Sequence, residues 1–181
     1  RAFQREIEVQ VPSPAGEPVK DARFMSTLPP IQGIIDARNG TPENDGEEVW
    51  RGRLETIFEG LLRANPNYLG ISYVAVEDGE EQYQSLVRVE RNYSDPTYVR
   101  RVPRSRLEAV LNSGVLSKTA KLAPGDVLLE ISEESSMASS SRRHVELIAA
   151  TPVYSEETGA LFGIVAIEAN FLARLAELAE N

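Results

Sequence analysis

The residue best placed to bind a small molecule is Arg88, in the string Leu86-Val87-Arg88-Val89-Glu90. Alternation along a strand puts its side chain on the face opposite Val87 and Val89. If a loop covers that face, the guanidinium can hold a carboxylate through two parallel hydrogen bonds. If the face is open to solvent, Arg88 is expected to pair with Glu90 or with an acid on a neighbouring strand. The sequence leaves both alternatives open.

Other residue types that do chemistry lack the partners that catalysis or metal binding needs. The chain has one histidine, His144, and no cysteine, which excludes thiol nucleophiles and argues against a transition-metal site. No strand-turn-helix elbow surrounds the serines of Glu133–Arg143, which indicate a polar loop. Acidic pairs such as Glu156-Glu157 lie in predicted turns, where solvent surrounds them. We therefore predict no catalytic residue, no metal and no cofactor.

The bulk composition is that of one acidic domain. The 181 residues are 41% hydrophobic, which suffices for one ordinary core. A net charge of −9 repels a phosphate backbone, so nucleic acid is not an expected partner. The longest apolar stretch, Ala160–Ile167, is far shorter than the roughly 20 residues that span a bilayer. Because the chain begins at Arg1 and a helical pattern runs to its end, we expect a segment of a longer protein.

Helical patterns occupy the first third of the chain. Residues 1–17 are expected to form a loose lead-in, since prolines interrupt any regular pattern there. Helices are expected from Pro18 to the Pro29-Pro30 pair, over Ile31–Ala37, and over Glu47–Ala64. The longest of these helices carries an apolar stripe that is expected to face a sheet, made of Trp50, Leu54, Ile57, Phe58, Leu61 and Leu62.

Strand patterns occupy most of the remainder. Five strands are expected, over Leu69–Val76, Ser85–Asn92, Asp126–Ser132, His144–Tyr154 and Leu161–Ala169. A helical insertion, with a short helix over Arg104–Leu111, separates the second strand from the third. This order predicts an α+β fold in which residues 18–169 form a single domain with a five-stranded antiparallel sheet. Asn170 is expected to cap a C-terminal helix over residues 170–181.

Several strings, taken in order, resemble the Cache family of PAS-like extracytoplasmic sensor domains of bacterial receptors. The helix, break and helix of Asp21–Ile35 and the exit of the long helix into Asn65-Pro66-Asn67-Tyr68 are similar to elements of that family. So are the Arg-Val pair of the second strand and Ala150–Tyr154 followed by a hairpin and Phe162–Ile167. The resemblance covers Asp21–Leu175 and implies a PAS-like fold.

The resemblance also implies a function. The chain would be the periplasmic, ligand-sensing part of an inner-membrane receptor, most often a sensor histidine kinase, with a diguanylate cyclase or a chemotaxis transducer as alternatives. The fragment itself would not be an enzyme, and the helix from Asn170 would carry the output to the membrane. Its partner would be an unidentified small molecule, and a homodimer is compatible with the family.

The predicted ligand-binding residues are Tyr73, Arg88 and Thr151. They are expected to line a pocket on the sheet face covered by Tyr93–Lys121, with Arg88 as the anchor for an anionic group. Relatives that bind amino acids carry an arginine followed by an aromatic residue at the end of the insertion, and Val110–Ala120 has neither. A dimerisation or protein-contact module of the same fold, without a ligand, is therefore the main alternative.

Overall fold

Five α-helices and six β-strands make up the part of the chain that the computed structural model describes, residues 16–41, 45–77, 82–92, 95–107, 111–134 and 144–180. The helices are α1 (Gly16–Met25), α2 (Pro29–Arg38), α3 (Glu47–Ala64), α4 (Ser113–Thr119) and α5 (Phe171–Glu180). The strands are β1 (Tyr68–Glu77), β2 (Gln82–Arg91), β3 (Val99–Arg101), β4 (Leu128–Glu134), β5 (His144–Tyr154) and β6 (Leu161–Asn170). The α+β class is confirmed.

All six strands form one antiparallel sheet in the order β3-β2-β1-β6-β5-β4. The sheet therefore has one strand more than the five predicted. The additional strand, β3, has only three residues and pairs with the end of β2. So short a segment carries no alternation in its own sequence, and only its pairing with β2 makes it a strand.

The two faces of the sheet have separate cores. Helices α1, α2 and α3 cover one face, called here the helix face. Its fully buried residues include Ile34 and Ile35 of α2 and Leu54, Phe58 and Leu62 of α3. Helix α4 covers part of the other face, called here the α4 face, where Val115 and Leu116 pack against a smaller apolar cluster that includes Val74, Ile148, Ala150, Ile164 and Ala166.

Helix α3 has the predicted bounds, and Trp50 of the predicted stripe is only partly buried. Its indole is half-buried and packs on Gly33 of α2 and against the core of the helix face. A Cβ atom on Gly33 would lie 2.3 Å from the ring, so α2 and α3 approach each other closely because residue 33 has no side chain. The guanidinium of Arg53 covers the indole at 4.3 Å from the ring centroid.

The helical insertion begins later than predicted. In place of a helix over Arg104–Leu111, the described residues form a 3₁₀ turn over Arg104–Arg106, and residues 108–110 lie outside the description. The helix of the insertion is α4, where Asn112 Oδ1 accepts a hydrogen bond from Gly114 N at 2.7 Å. Asparagine is a strong N-cap, and this local bond fixes the start. Within the described residues, no helix combines the length and apolar character needed to cross a bilayer.

Candidate functional site

The α4 face carries a buried group of charged residues near the end of the sheet where α5 begins. Arg88 of β2 is 6% exposed, and Glu168 of β6 is 7% exposed. The strand β1 runs between them, with Ser72 opposite Arg88 and Gly70 opposite Glu168. Because residues 70, 72, 88 and 168 share one face by alternation, the side chains of Ser72, Arg88 and Glu168 meet above Gly70.

Arg88 donates hydrogen bonds to acceptors on three strands. Its Nη1 lies 2.5 Å from Glu168 Oε2 and 2.8 Å from Ser72 Oγ, and its Nε lies 2.9 Å from Glu90 Oε2. Glu90 also accepts from Nε of Arg100 on β3 at 2.9 Å. We refer to Arg88, Glu168, Glu90, Ser72 and Arg100 as the Arg88 cluster. Among the described residues, none accepts a hydrogen bond from Arg88 Nη2, so this donor remains available.

Gly70 provides the space for the cluster. A Cβ atom on this residue would lie 2.9 Å from both Arg88 Nη2 and Glu168 Oε2. Any side chain here would displace the ion pair, since contacts this short are sterically forbidden. The glycine therefore allows the charged groups to lie directly on the backbone of β1.

Arg88 and Glu90 are both charged at neutral pH, because each pKa is shifted in favour of the charged form. Burial by itself lowers the pKa of Arg88, but the charge of Glu168 and the hydrogen bonds to Glu168 and Glu90 raise that pKa above its usual value. Burial by itself raises the pKa of Glu90, and the hydrogen bonds from Arg88 and Arg100 outweigh it, so that the pKa is lowered. The guanidinium of Arg88 is therefore a buried positive charge on the α4 face, and its Nη2 has no acceptor among the described residues.

The cluster is directly connected to the C-terminal helix. Glu168 is followed closely by Asn170, whose backbone N donates to Asn67 O at 2.8 Å. Asn170 Oδ1 accepts from Ala173 N at 3.1 Å, which confirms the predicted N-cap of α5. A displacement of Glu168 along or across β6 would therefore move the residues that anchor α5.

The three predicted site residues are not brought together. Arg88 lies on the α4 face and is buried. It pairs with Glu90 and with Glu168 on a neighbouring strand, the two kinds of partner that were expected if no ligand is bound. Tyr73 lies on the opposite, helix face, as part of its core. Thr151 is also fully buried on the helix side, and its Oγ1 donates to Asp126 O at 2.8 Å. Alternation alone cannot align residues of different strands, because their relative register is set by pairing.

The pairing also brings in residues that the sequence prediction omitted. Ser72 and Gly70 belong to the site because strand pairing places Ser72 opposite Arg88 and Gly70 opposite Glu168. The only local signal was Glu168 itself, a charge inside the apolar run of β6. Parts of the predicted cover, residues 93–94 and 108–110, lie outside the described residues, as does 135–143 of the serine-rich loop. In the portion of the chain that is described, no three His, Cys, Asp or Glu side chains are grouped to hold a metal ion.

Comparisons with known proteins identify the fold. No family model matches the chain, and no curated protein matches it either. Among solved structures, the extracellular domain of a protein described as histidine kinase vpHK1S-Z8 has a TM-score of 0.63 at 10% identity, over 90% of this chain and 54% of that one. A domain of a Vibrio parahaemolyticus protein described as sensory box/GGDEF family gives 0.59 at 11% identity, over 86% and 54%.

A third solved structure, a methyl-accepting chemotaxis protein X, has a TM-score of 0.50 at 15% identity, over 91% of this chain and 58% of that one. The chain thus spans little more than half the length of the structures it matches. At such identities the likeness is one of fold, and it agrees with the helical layer, the antiparallel sheet and the insertion described above. The chain has the PAS-like fold of these sensor domains, which confirms the Cache resemblance at the level of fold.

Proposed function

We propose that this chain is the extracytoplasmic sensory domain of a bacterial transmembrane receptor, and that the Arg88 cluster is its sensing site. The observation that carries the proposal is a buried Arg88–Glu168 ion pair on one sheet face, with Glu168 only a few residues ahead of α5. The fold supports it, since the solved structures of like fold include the extracellular domain of a histidine kinase.

A sensor histidine kinase of the inner membrane is the proposed parent. A diguanylate cyclase or a chemotaxis transducer is the alternative, because sensory box/GGDEF and chemotaxis proteins share the fold. In either case this chain contributes recognition, and catalysis belongs to other parts of the parent. Membrane helices on both sides of the domain would anchor it, and α5 would lead to the second of them.

The proposed ligand is a small molecule with an anionic acceptor group. Arg88 Nη2 could donate to it directly, and the ligand would then compete with Glu168 for Nη1, which lies 2.5 Å from that carboxylate. Weakening the bond to Glu168 loosens the link between β2 and β6 just ahead of α5. The shift in α5 is limited by the difference in ligand affinity between the two arrangements.

A ligand-free contact module is the second candidate, and one observation favours it. Arg88 already donates to Glu168, Glu90 and Ser72, so three protein acceptors occupy most of the guanidinium. In that case the cluster would hold the strands together, and the signal would come through a protein partner or a second copy of the chain.

A calorimetric screen of the purified chain distinguishes the two candidates. Small organic anions and amino acids are titrated at a temperature where all variants are folded, with Arg88→Lys as the test variant. Lysine keeps the charge but lacks the Nη2 donor, so a ligand of the wild-type chain should bind at least about tenfold more weakly. The control variant is Arg104→Lys, in the 3₁₀ turn, where Arg104 binds Glu48 and Glu55 of α3 and not the cluster.

Hydrogen exchange of β6 and α5 then connects binding to output. Slower or faster exchange around residues 168–173 on ligand addition is the expected result. A ligand that binds both variants equally, or that leaves α5 unchanged, would contradict the proposed site. If no compound binds and the chain self-associates through a surface whose disruption changes receptor output, the contact-module reading replaces it.

A further inference from the structure

The dipeptide Asn39-Gly40 ends helix α2. Gly40 has a φ of 75°, the left-handed conformation in which many helices end. Its backbone N donates to Ala37 O at 3.3 Å, and Thr41 N donates to Asp36 O at 3.0 Å. These two bonds form a Schellman motif, in which the last carbonyls of a helix accept from the residues just beyond it. The end of α2 therefore requires the glycine that follows Asn39.

The side chain of Asn39 is open to chemistry with the peptide bond that follows it. Asn39 and Gly40 are both exposed, and no described residue forms a hydrogen bond with the carboxamide of Asn39. A Cβ atom on Gly40 would have no atom within 4 Å, so the space beside this peptide bond is open. Nothing in the described part of the chain therefore restrains the carboxamide or shields the nitrogen of Gly40 from the side.

The other described asparagines are restrained or hindered. Asn112 and Asn170 use their side-chain oxygens as helix N-caps. Asn65 precedes a proline, which has no N–H. Asn67 and Asn92 each precede a tyrosine, whose side chain hinders access to the backbone nitrogen. Among the described asparagines, only the one at the end of α2 combines an exposed carboxamide with a following glycine.

We propose that Asn39 is a site of spontaneous deamidation in the folded chain. Gly40 N loses its proton and attacks Cγ of Asn39, and the Cγ–Nδ2 bond breaks as ammonia leaves with a proton. The product is a succinimide ring. Water then opens the ring at Cγ to give isoaspartate or aspartate, according to which of the two ring carbonyl carbons it attacks. In isoaspartate the main chain runs through the former side-chain carbon. The reaction needs no oxidant, and its only co-reactant is water.

The backbone conformation of Asn39 controls the rate of this reaction. Its ψ is 0°, which turns Gly40 N away from the side chain, so the attack needs a rotation about the Cα–C bond. That rotation breaks the bond from Gly40 N to Ala37 O, which at 3.3 Å is longer than a usual N–H···O bond. Helix ends open locally at a small cost in free energy. The rate of deamidation therefore reports how often the last turn of α2 opens.

Deamidation places a negative charge beside Arg38. Arg38 Nε donates to Glu47 Oε1 at 3.0 Å and Nη2 to Gln84 Oε1 at 2.8 Å, so this side chain connects α2 to α3 and β2. A carboxylate at residue 39 competes for the guanidinium, and it lies at the helix end where negative charge is unfavourable. The lengthened main chain of isoaspartate also displaces Gly40 N and Thr41 N from their carbonyl acceptors. The isoaspartate form is therefore expected to melt at a lower temperature than the unmodified chain.

The test is peptide mapping by mass spectrometry of the full chain, kept folded at mildly alkaline pH and sampled over time. Asn39 is expected to convert to aspartate and isoaspartate before any other described asparagine. The rate should rise with pH, because Gly40 N must lose its proton before it attacks. Asn39→Gln should abolish the early conversion at this position, since the longer side chain closes a ring much more slowly.

A sample unfolded in guanidinium chloride is the reference, and conversion there should be faster because the Schellman motif is absent. Earlier conversion of another described asparagine in the folded chain would overturn the proposal. So would an Asn39 that stays intact in the folded chain after the unfolded sample has converted. Asn39→Asp is the matched control for the product, because it carries the charge without the lengthened main chain. It should melt at a higher temperature than the purified isoaspartate form.

Discussion

Replacing Arg88 with methionine tests whether the Arg88–Glu168 ion pair is shielded from water, as its burial indicates. The change leaves the side chain of Glu168, which is 9% exposed, without its ion-pair partner. Removing one partner of a buried pair destabilises a protein by about 3–5 kcal/mol, because an uncompensated charge remains. Glu168 keeps slight contact with solvent, so we expect the lower end, about 3 kcal/mol. A solvated arginine, which the sequence also allowed, would contribute much less.

The companion variants form a double-mutant cycle. Glu168→Met should be milder than Arg88→Met, because Arg88 keeps its bond to Glu90 at 2.9 Å. The double variant Arg88→Met/Glu168→Met should recover most of the lost stability, since no unpaired charge is then buried, and Glu90 retains Arg100. Arg100→Met is the control, because that side chain is 50% exposed and should change stability by no more than about 0.5 kcal/mol.

Urea unfolding at pH 7 measures the free energies, provided that the slopes of the variants agree. For a chain of this size a loss of 3 kcal/mol corresponds to a drop in melting temperature of roughly 6–12 °C. The reasoning fails if Arg88→Met costs less than about 1 kcal/mol, or if the two single changes are additive in the double variant. Either result would mean that water reaches the pair.

Three further outcomes are expected. Gly33→Ala should destabilise the chain by about 1–3 kcal/mol in urea unfolding, because its Cβ would lie 2.3 Å from the Trp50 ring. The control is Gly52→Ala on α3. Its Cβ would have no atom within 4 Å, so alanine should stabilise the helix by up to about 1 kcal/mol. Thr151→Val should cost about 1 kcal/mol through the lost bond to Asp126 O while leaving ligand titrations unchanged. Stability should fall as the pH drops below 4.5, the ordinary carboxyl value, because the pKa of Glu90 is lowered in the fold and the unfolded chain binds more protons there. In Glu90→Gln, the curve of urea midpoint against pH should be flatter in this range.

Local patterns predicted the elements whose signals are strong over many residues. The bounds of α3 were predicted as Glu47–Ala64 and those of β5 as His144–Tyr154, and both are observed. An apolar stripe bounded by Asn65-Pro66 fixes the first, and a long run of strand-forming residues fixes the second. The start of α4 could also have been read from Asn112, whose capping bond is local.

Register was the information that the sequence lacked. Ser72 and Tyr73 are neighbours on β1, yet one contacts Arg88 and the other packs under the helices. Which of them shares a face with Arg88 depends on the pairing of β1 with β2, and a shift of one residue would exchange them. The bond between Arg88 and Glu168 joins residues 80 positions apart, so no local pattern reports it.

The burial of the Arg88 cluster is a stronger argument for recognition than for stability. Replacing a buried ion pair by apolar side chains of similar size is often neutral or stabilising, so folding alone does not require these charges. Here they lie on β1, at the centre of the sheet, where Gly70 removes a side chain to accommodate them. If the double methionine variant is as stable as the unmodified chain, stability does not explain the pair, and its position ahead of α5 becomes the property to explain. If that variant is much less stable, the cluster serves to hold the strands together. This result would support the alternative that the chain is a ligand-free contact module.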